Sequence, residues 1–294
     1  MYLKRKQLYT IIFIEATLIL MVSVVLFAQL MKPEVKSVAK TVSPTATPSP
    51  TVTPFPTVTP TPNKNTTTST LYPAQVLNLT NWKETLPIGS SEHPTEIRQP
   101  ELAKYRLDPW FIVAPGISAV RFRAPVNSVT TSGSNYPRSE LREMTNNGRT
   151  NASWSSTTGI HTMVLDEAIT AVPLTKKHIV AGQIHDDEDD IMVIRLEYPK
   201  LYVNVDGNNV VTLDENYTLG KRFHIKFVAH NGKTDVYYNN STTPAYTLTK
   251  DYSNSYFKAG AYTQSNCDRE KSVSLCTENN YGEVLIYNVT VLHQ

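Results

Sequence analysis

Three short segments place polar, reactive side chains at every second position: Tyr136-Pro-Arg-Ser-Glu-Leu-Arg-Glu-Met144, Gln183-Ile-His185 and Tyr256-Phe-Lys-Ala-Gly-Ala-Tyr-Thr-Gln264. Side chains alternate between faces along a β-strand. Arg138, Glu140 and Arg142 therefore share a face, as do Gln183 and His185. Tyr256, Lys258, Tyr262 and Gln264 form a third set, with Gly260 between them. One face of one sheet would then display guanidinium, amide, imidazole, ammonium and phenol groups together. That combination suits holding a carboxylate and moving a proton beside it.

Taken singly, each segment has a plainer reading. An Arg-x-Glu-x-Arg strand is usually an exposed ladder of ion pairs, a Gln-x-His strand a solvated surface, and a Tyr-rich strand packing. The functional reading rests on the three occurring together. Other candidates carry less. Glu140 and Glu143 resemble a glycosidase pair, but a spacing of three puts them on opposite faces of a strand. The acidic run Asp186–Asp190 reads as a solvated turn rather than a calcium site, and beside an anion site it would have to point away. His161, His178, His224 and His230 have no ligand-like arrangement, so no metal is expected.

The elements that must position these groups are mostly strands. Strand-like runs include 117–126, 162–172, 191–205, 222–230, 235–238 and 283–292, and Val284, Ile286, Asn288, Thr290 and Leu292 keep a period of two. Asp206-Gly207-Asn208, Asn231-Gly232-Lys233, Asn239-Asn240 and Asn146-Asn147-Gly148 are turn signals between them. Helical periodicity is nowhere sustained, and only 100–104 suggests a short helix. Many antiparallel strands in one domain predict an all-β fold, a two-sheet sandwich or jelly roll with a concave face for a long ligand.

The chain has 294 residues and a net charge of +2. From residue 73 onward, 21 Lys and Arg face 24 Asp and Glu, a net of −3, so a general nucleic-acid binder is excluded and any anion must be caught locally. The two cysteines, Cys267 and Cys276, show no metal-like spacing with histidine. In an exported domain they would close a loop as a disulfide worth about 2–3 kcal/mol, the other reading being two unrelated thiols.

The N-terminal part is different in kind. Residues 1–10 form a basic tail with Lys4, Arg5 and Lys6. The apolar run 11–31 holds one charge, Glu15, and is long enough to span a bilayer. No small-x-small cleavage site follows it, so an uncleaved signal anchor is expected rather than a cleaved signal peptide. The basic residues would stay cytoplasmic, leaving the remainder outside. Residues 32–72 are rich in Pro, Thr and Ser and read as an extended stalk. Residues 73–294 are then the folded domain, external and membrane-anchored, or secreted if the run is cleaved.

The blocks Arg138–Glu143, Gln183–His185 and Tyr256–Gln264 resemble the signature segments of family 7 polysaccharide lyases, the alginate lyases. Asn81–Pro87, the 267–276 loop and the closing segment 281–293 are similar to that family as well, so the likeness covers nearly all of 73–294. It implies a β-jelly roll that cleaves alginate by β-elimination without a cofactor. It implies catalytic roles for Arg138, Gln183, His185 and Tyr262, and a substrate cleft lined by Glu140, Arg142, Lys258, Gln264 and Tyr256. Ile184, between the Gln and the His, implies a lean toward guluronate-containing blocks.

The chemistry fits those residue types. The C5 proton of a uronate is α to its carboxylate, so its removal builds negative charge that placed donors must neutralise. Arg138 and Gln183 supply them, and His185 can donate to the carboxylate or accept the proton. Free phenol titrates near pH 10, so Tyr262 as a base needs cations beside it, and as an acid it can protonate the departing O4. The expected partner is an anionic polysaccharide, and the expected state is a monomer. Two alternatives share the fold: a non-catalytic carbohydrate-binding module on a stalk, and a lyase for another polyuronate such as glucuronan. Gln183, His185 and Tyr262 occurring together speak against the first.

Overall fold

A computed structural model describes residues 71–294 of the chain. The expected basic tail, the anchor and all of the stalk before Leu71 lie outside the described residues. No helix among the described residues is long and apolar enough to cross a membrane.

Alternating burial builds the strands. In Phe223–His230, Phe223, Ile225, Phe227 and Ala229 are fully buried, while the residues between them are half-buried. The next two residues, Asn231 and Gly232, both have positive φ (48° and 69°) and turn the chain into Lys233–Tyr238. A two-residue loop with left-handed φ at both positions matches the twist of a hairpin, and Asn-Gly is the pair that adopts it most readily.

Sixteen strands result among the described residues. They are β1 (Trp82–Ser90), β2 (His93–Ile97), β3 (Phe111–Val113), β4 (Val120–Pro125), β5 (Arg138–Thr145), β6 (Thr150–Asn151), β7 (Ile160–Ala171) and β8 (His178–His185). After these come β9 (Asp190–Glu197), β10 (Lys200–Val205), β11 (Asn208–Asp214), β12 (Phe223–His230), β13 (Lys233–Tyr238), β14 (Tyr246–Thr249), β15 (Tyr256–Thr263) and β16 (Tyr281–His293). One sheet runs β11-β10-β9-β8-β15-β5-β1-β2, with β6 paired to β5; the other runs β14-β13-β12-β7-β16-β4-β3. All pairings are antiparallel. The expected jelly-roll sandwich is therefore what forms. Leu141, Ile184 and Phe257 from the first sheet and Leu165, Phe227 and Val284 from the second join one core. Each such side chain contributes about 1.5–3 kcal/mol by leaving water.

Several local expectations change. The run 191–205 is two strands, β9 and β10, divided by a turn at Tyr198-Pro199. The short helix expected over 100–104 is a single 3-10 turn, Glu101–Lys104. The alternation from Val284 to Leu292 breaks, because β16 carries an extra residue against β7: Ile286 pairs with Glu167 and Asn288 with Asp166. One inserted residue moves everything after it to the other face. Val289 is buried in consequence, and Leu292 points to solvent.

The two cysteines form the Cys267–Cys276 disulfide, around a short helix α1 (Cys267–Glu270) capped by the Asn266 side chain. Glu143, on the opposite face of β5 from Arg142, ties the sheets together. It accepts from Trp154 Nε1 at 3.0 Å and the Phe257 amide at 2.9 Å, and meets His293 Nε2 of β16 at 2.6 Å.

Glu167 on β7 is fully buried, and neither of its carboxylate oxygens has a hydrogen-bond partner. Burial, with Asp166 as a second cause, pushes its carboxyl up to about 8. The folded state thus keeps a proton that the unfolded chain releases above about pH 4.5, and stability falls as pH rises from there toward 8. Glu167→Gln should remove a slope of up to about 1.4 kcal/mol per pH unit in that window. Melting temperatures measured from pH 5 to pH 8 should drop less steeply in the variant, and parallel curves would disprove the assignment.

Candidate active site

Three adjacent strands, β8, β15 and β5, form the floor of a hollow on the sheet face turned away from the core. Register sets the rows. Lys258 lies between Arg142 on β5 and Gln183 on β8, Gly260 pairs with Glu140, Tyr262 with Arg138, and Tyr256 with His185. β15 holds one extra residue relative to β8 between Ala259 and Tyr262. Gly260 sits in that bulge with φ of 143°, and a Cβ there would lie 2.6 Å from the Ser139 carbonyl oxygen and 2.8 Å from Glu140 Cα. Only glycine fits both the conformation and the gap.

Glu140 is the hub of the floor. Its Oε2 accepts from Lys258 Nζ at 2.6 Å and Arg138 Nη1 at 3.1 Å, and its Oε1 accepts from Gln183 Nε2 at 2.5 Å. A carboxylate only accepts, so Gln183 must present its nitrogen here, which leaves that amide's second N–H for a ligand. Burial opposes ionisation of Glu140, but Lys258 and Arg138 more than offset it and hold the carboxyl below its usual range. Lys258 is pulled down to about 8, first by burial and then by Arg138. Its ion pair with Glu140 alone would act the other way, but one carboxylate shared between two cations does not hold both.

Aromatic rings steady the groups around the hub. The Arg138 guanidinium stacks over the Tyr262 ring at 3.9 Å, and Arg142 over Tyr256 at 3.8 Å. The other face of Tyr256 stacks on His185 at 5.4 Å, with the planes 17° apart. His185 Nδ1 lies 2.7 Å from the Asp186 carbonyl oxygen. A carbonyl cannot donate, so Nδ1 carries the proton and Nε2 keeps a free lone pair. Burial, and next Lys258, lower the pKa of His185, so the ring is neutral near pH 7.

The hollow, of about 350 Å³, is lined by Arg138, Arg142, Gln183, His185, Lys258 and both tyrosines, Tyr256 and Tyr262. Two expected cleft residues sit elsewhere. Glu140 is fully buried beneath the floor and does not line the hollow, because its carboxylate is consumed by protein donors. Gln264 borders a neighbouring hollow, lined also by Tyr136, that shares Tyr262, Asp189 and Asp190 with the main one. The acidic turn also departs from expectation: Asp187, Glu188, Asp189 and Asp190 border the main hollow instead of pointing away. Burial, then Asp189, raises Asp190 to about 6. Among the described residues, no group of three or more His, Cys, Asp and Glu side chains is arranged to hold a metal ion.

Ser134 is the functional neighbour that the sequence reading missed. Its Oγ lies 3.0 Å from the Tyr262 hydroxyl, accepts from Arg138 Nη2 at 3.3 Å and from the Tyr136 amide at 3.2 Å, and donates to the Tyr136 carbonyl at 3.1 Å. It belongs to a loop, 131–134, that no strand periodicity marks. Lys83 and Glu96 also line the hollow, ion-paired to each other.

Glu140→Gln should leave Arg138 and Lys258 buried without their counter-charge, at a cost of about 3–5 kcal/mol. Chemical denaturation should show this loss, and an unchanged midpoint would mean that the carboxylate does not hold the floor.

Comparison with known proteins agrees with this geometry. The family profile described as alginate lyase matches residues 77–293. Among solved structures, the alginate lyase AlgAT5 of polysaccharide lyase family 7 is 49% identical with a TM-score of 0.72, over 76% of this chain and 99% of that one. The alginate lyase from Corynebacterium sp. is 50% identical with a TM-score of 0.73, over 76% of this chain and 98% of that one. A structure of AlyQ that pairs a carbohydrate-binding module with an alginate lyase domain is 34% identical with a TM-score of 0.67, over 76% of this chain and 63% of that one. No curated protein matches the chain. The chain belongs to the alginate lyases of polysaccharide lyase family 7.

Proposed function

We propose that this polysaccharide lyase cleaves alginate within guluronate-containing blocks by β-elimination, with His185 as the base and Tyr262 as the acid. The uronate carboxylate sits against Arg138, the free N–H of Gln183 and the Lys258 ammonium, which neutralise the charge that builds as C5 loses its proton. His185 Nε2 takes that proton. The C5–H electron pair becomes the C4–C5 double bond, the C4–O4 bond breaks, and O4 leaves with the proton of the Tyr262 hydroxyl. Solvent then takes the proton from His185 Nε2 and supplies one to the Tyr262 phenolate. Glu140 touches no substrate in this scheme and acts as a positioning residue.

The observation that carries this reading is the 2.7 Å contact of His185 Nδ1 with the Asp186 carbonyl, which favours the tautomer with Nε2 as a free acceptor, on a different strand from Tyr262. Mannuronate and guluronate are epimers at C5, so their C5 protons lie on opposite faces of the sugar. A base and an acid on separate strands suit elimination across the ring from opposite faces. One tyrosine serving as both would suit the other epimer. Ser134 Oγ, 3.0 Å from the phenol oxygen, supports the acid role by holding the Tyr262 hydroxyl in position.

Tyr262→Phe keeps the ring that Arg138 stacks on and removes the proton. Its kcat should fall about 10²-fold or more while oligomer binding persists. His185→Asn should lose far more activity on polyguluronate than on polymannuronate, followed by the absorbance of unsaturated uronate ends. Equal losses on the two polymers would overturn the guluronate assignment, and near-normal turnover of Tyr262→Phe would overturn the acid.

The pH dependence has a worked sign. His185 loses its lone pair as pH falls through its folded pKa, which lies below the ordinary 6.5, so an acid limb is expected there. Lys258 loses its charge as pH rises through about 8, which sets an alkaline limb in kcat/KM. Lys258→Arg keeps the cation at higher pH and should move that limb upward by at least about one unit. An alkaline limb that stays in place would rule out Lys258 as its source.

A further inference from the structure

A second hollow lies beyond the Tyr262 end of the cleft, between the segment leading into β8 and the disulfide loop. It is lined by Lys176, Lys177, His178, Arg269 and Lys271, with Glu197 as its one carboxylate. Glu197 is already engaged by Arg195 at 3.2 Å and by His178 at 3.7 Å. Among the described residues, no carboxylate forms an ion pair with Lys176, Lys177, Arg269 or Lys271. In a folded domain of net charge −3, four cations without acidic partners in one hollow are a local concentration that opposes its own assembly.

The fold holds this concentration in place deliberately enough to oppose the repulsion. Glu270, at the end of α1, is 1% exposed. Its carboxylate accepts from the Thr175 amide at 2.8 Å and the Lys176 amide at 3.2 Å, and from Ser265 Oγ at 2.5 Å and Asn280 Nδ2 at 2.8 Å. These bonds clamp the backbone carrying Lys176 and Lys177 against the loop carrying Arg269 and Lys271. Lys271 itself takes a left-handed φ of 60° to close α1, and the Cys267–Cys276 disulfide closes the same loop.

A chain of side-chain contacts links this hollow to the catalytic cleft. Lys176 Nζ donates to the Tyr136 hydroxyl at 3.0 Å and lies 4.6 Å from the centre of that ring. The Tyr136 ring meets Tyr262 edge-on at 6.4 Å between centroids. A sugar chain leaving the cleft past Tyr262 would cross Tyr136 and reach these cations.

We propose that this basic hollow is a distal binding site for the polyuronate chain, taking the carboxylate of a sugar outside the catalytic cleft on the Tyr262 side. It rests on the lyase reading above and extends it. The site would anchor long polymer, not the scissile sugar, so its contribution should appear in KM and vanish for substrates too short to reach it.

The test is the double variant Lys177→Glu/Lys271→Glu, both positions being exposed and outside the catalytic cleft. For long alginate its KM should rise about tenfold with kcat within about twofold, and added salt should weaken the wild type more than the variant. For a uronate trisaccharide both constants should match the wild type. Polymer binding measured by calorimetry in a Tyr262→Phe background should weaken by a similar factor, and this arm needs no turnover. Unchanged affinity for long polymer, or an equal loss with the trisaccharide, would overturn the proposal. Failure of the wild type to cleave any uronate would overturn the catalytic reading instead, leaving the binding arm to decide this site.

Discussion

Everything at the centre of this fold depends on one buried carboxylate. Glu140 has no exposure, yet it stays ionised because Lys258, Arg138 and Gln183 all donate to it. A charge in that position is costly unless its partners are complete. The requirement runs both ways, since the two cations would be equally costly without it. Three side chains from three strands are thereby locked to a common point, and their spare hydrogen-bonding capacity faces the hollow. The shared carboxylate also leaves the floor with a surplus of positive charge, once Arg142 is counted. An anion can satisfy that surplus, and the uronate of an alginate chain brings one carboxylate for every sugar.

Much of this was legible in the sequence, for a physical reason. The functional groups stand on strands, and a period of two translates directly into a shared face. Arg138, Lys258, Gln183 and His185 come together as their spacing implies. The two-sheet architecture follows from the same periodicity and the Asn-Gly turns. The reading failed where the period fails. The inserted residue in β16 reverses the faces of Val289 and Leu292. Glu140 shares the face of Arg138 and Arg142, but alternation says nothing about depth, and only the donors gathered around it bury it. Ser134 and the acidic turn 186–190 belong to loops whose positions depend on distant strands, so no local pattern could place them beside Tyr262 and the cleft.

The cleft must meet two demands that pull apart. In the proposed mechanism, stabilising a dianionic intermediate calls for cations, and a base must still be neutral beside them when substrate arrives. The structure meets both with the same charge. Lys258 is a cause, after burial, of the lowered pKa of His185, so the cation that attracts the carboxylate also discourages the imidazole from taking up a proton. The Asp186 carbonyl works in the opposite direction by favouring the proton on Nδ1, and this fixes the tautomer that leaves Nε2 open. If the floor were fully neutralised, His185 would take up a proton more readily and lose its lone pair. If it were more positive, Lys258 would shed its own proton below pH 8. One carboxylate among three cations lies between these failures, so in the proposed mechanism Glu140 bears on His185 as well as on the binding site.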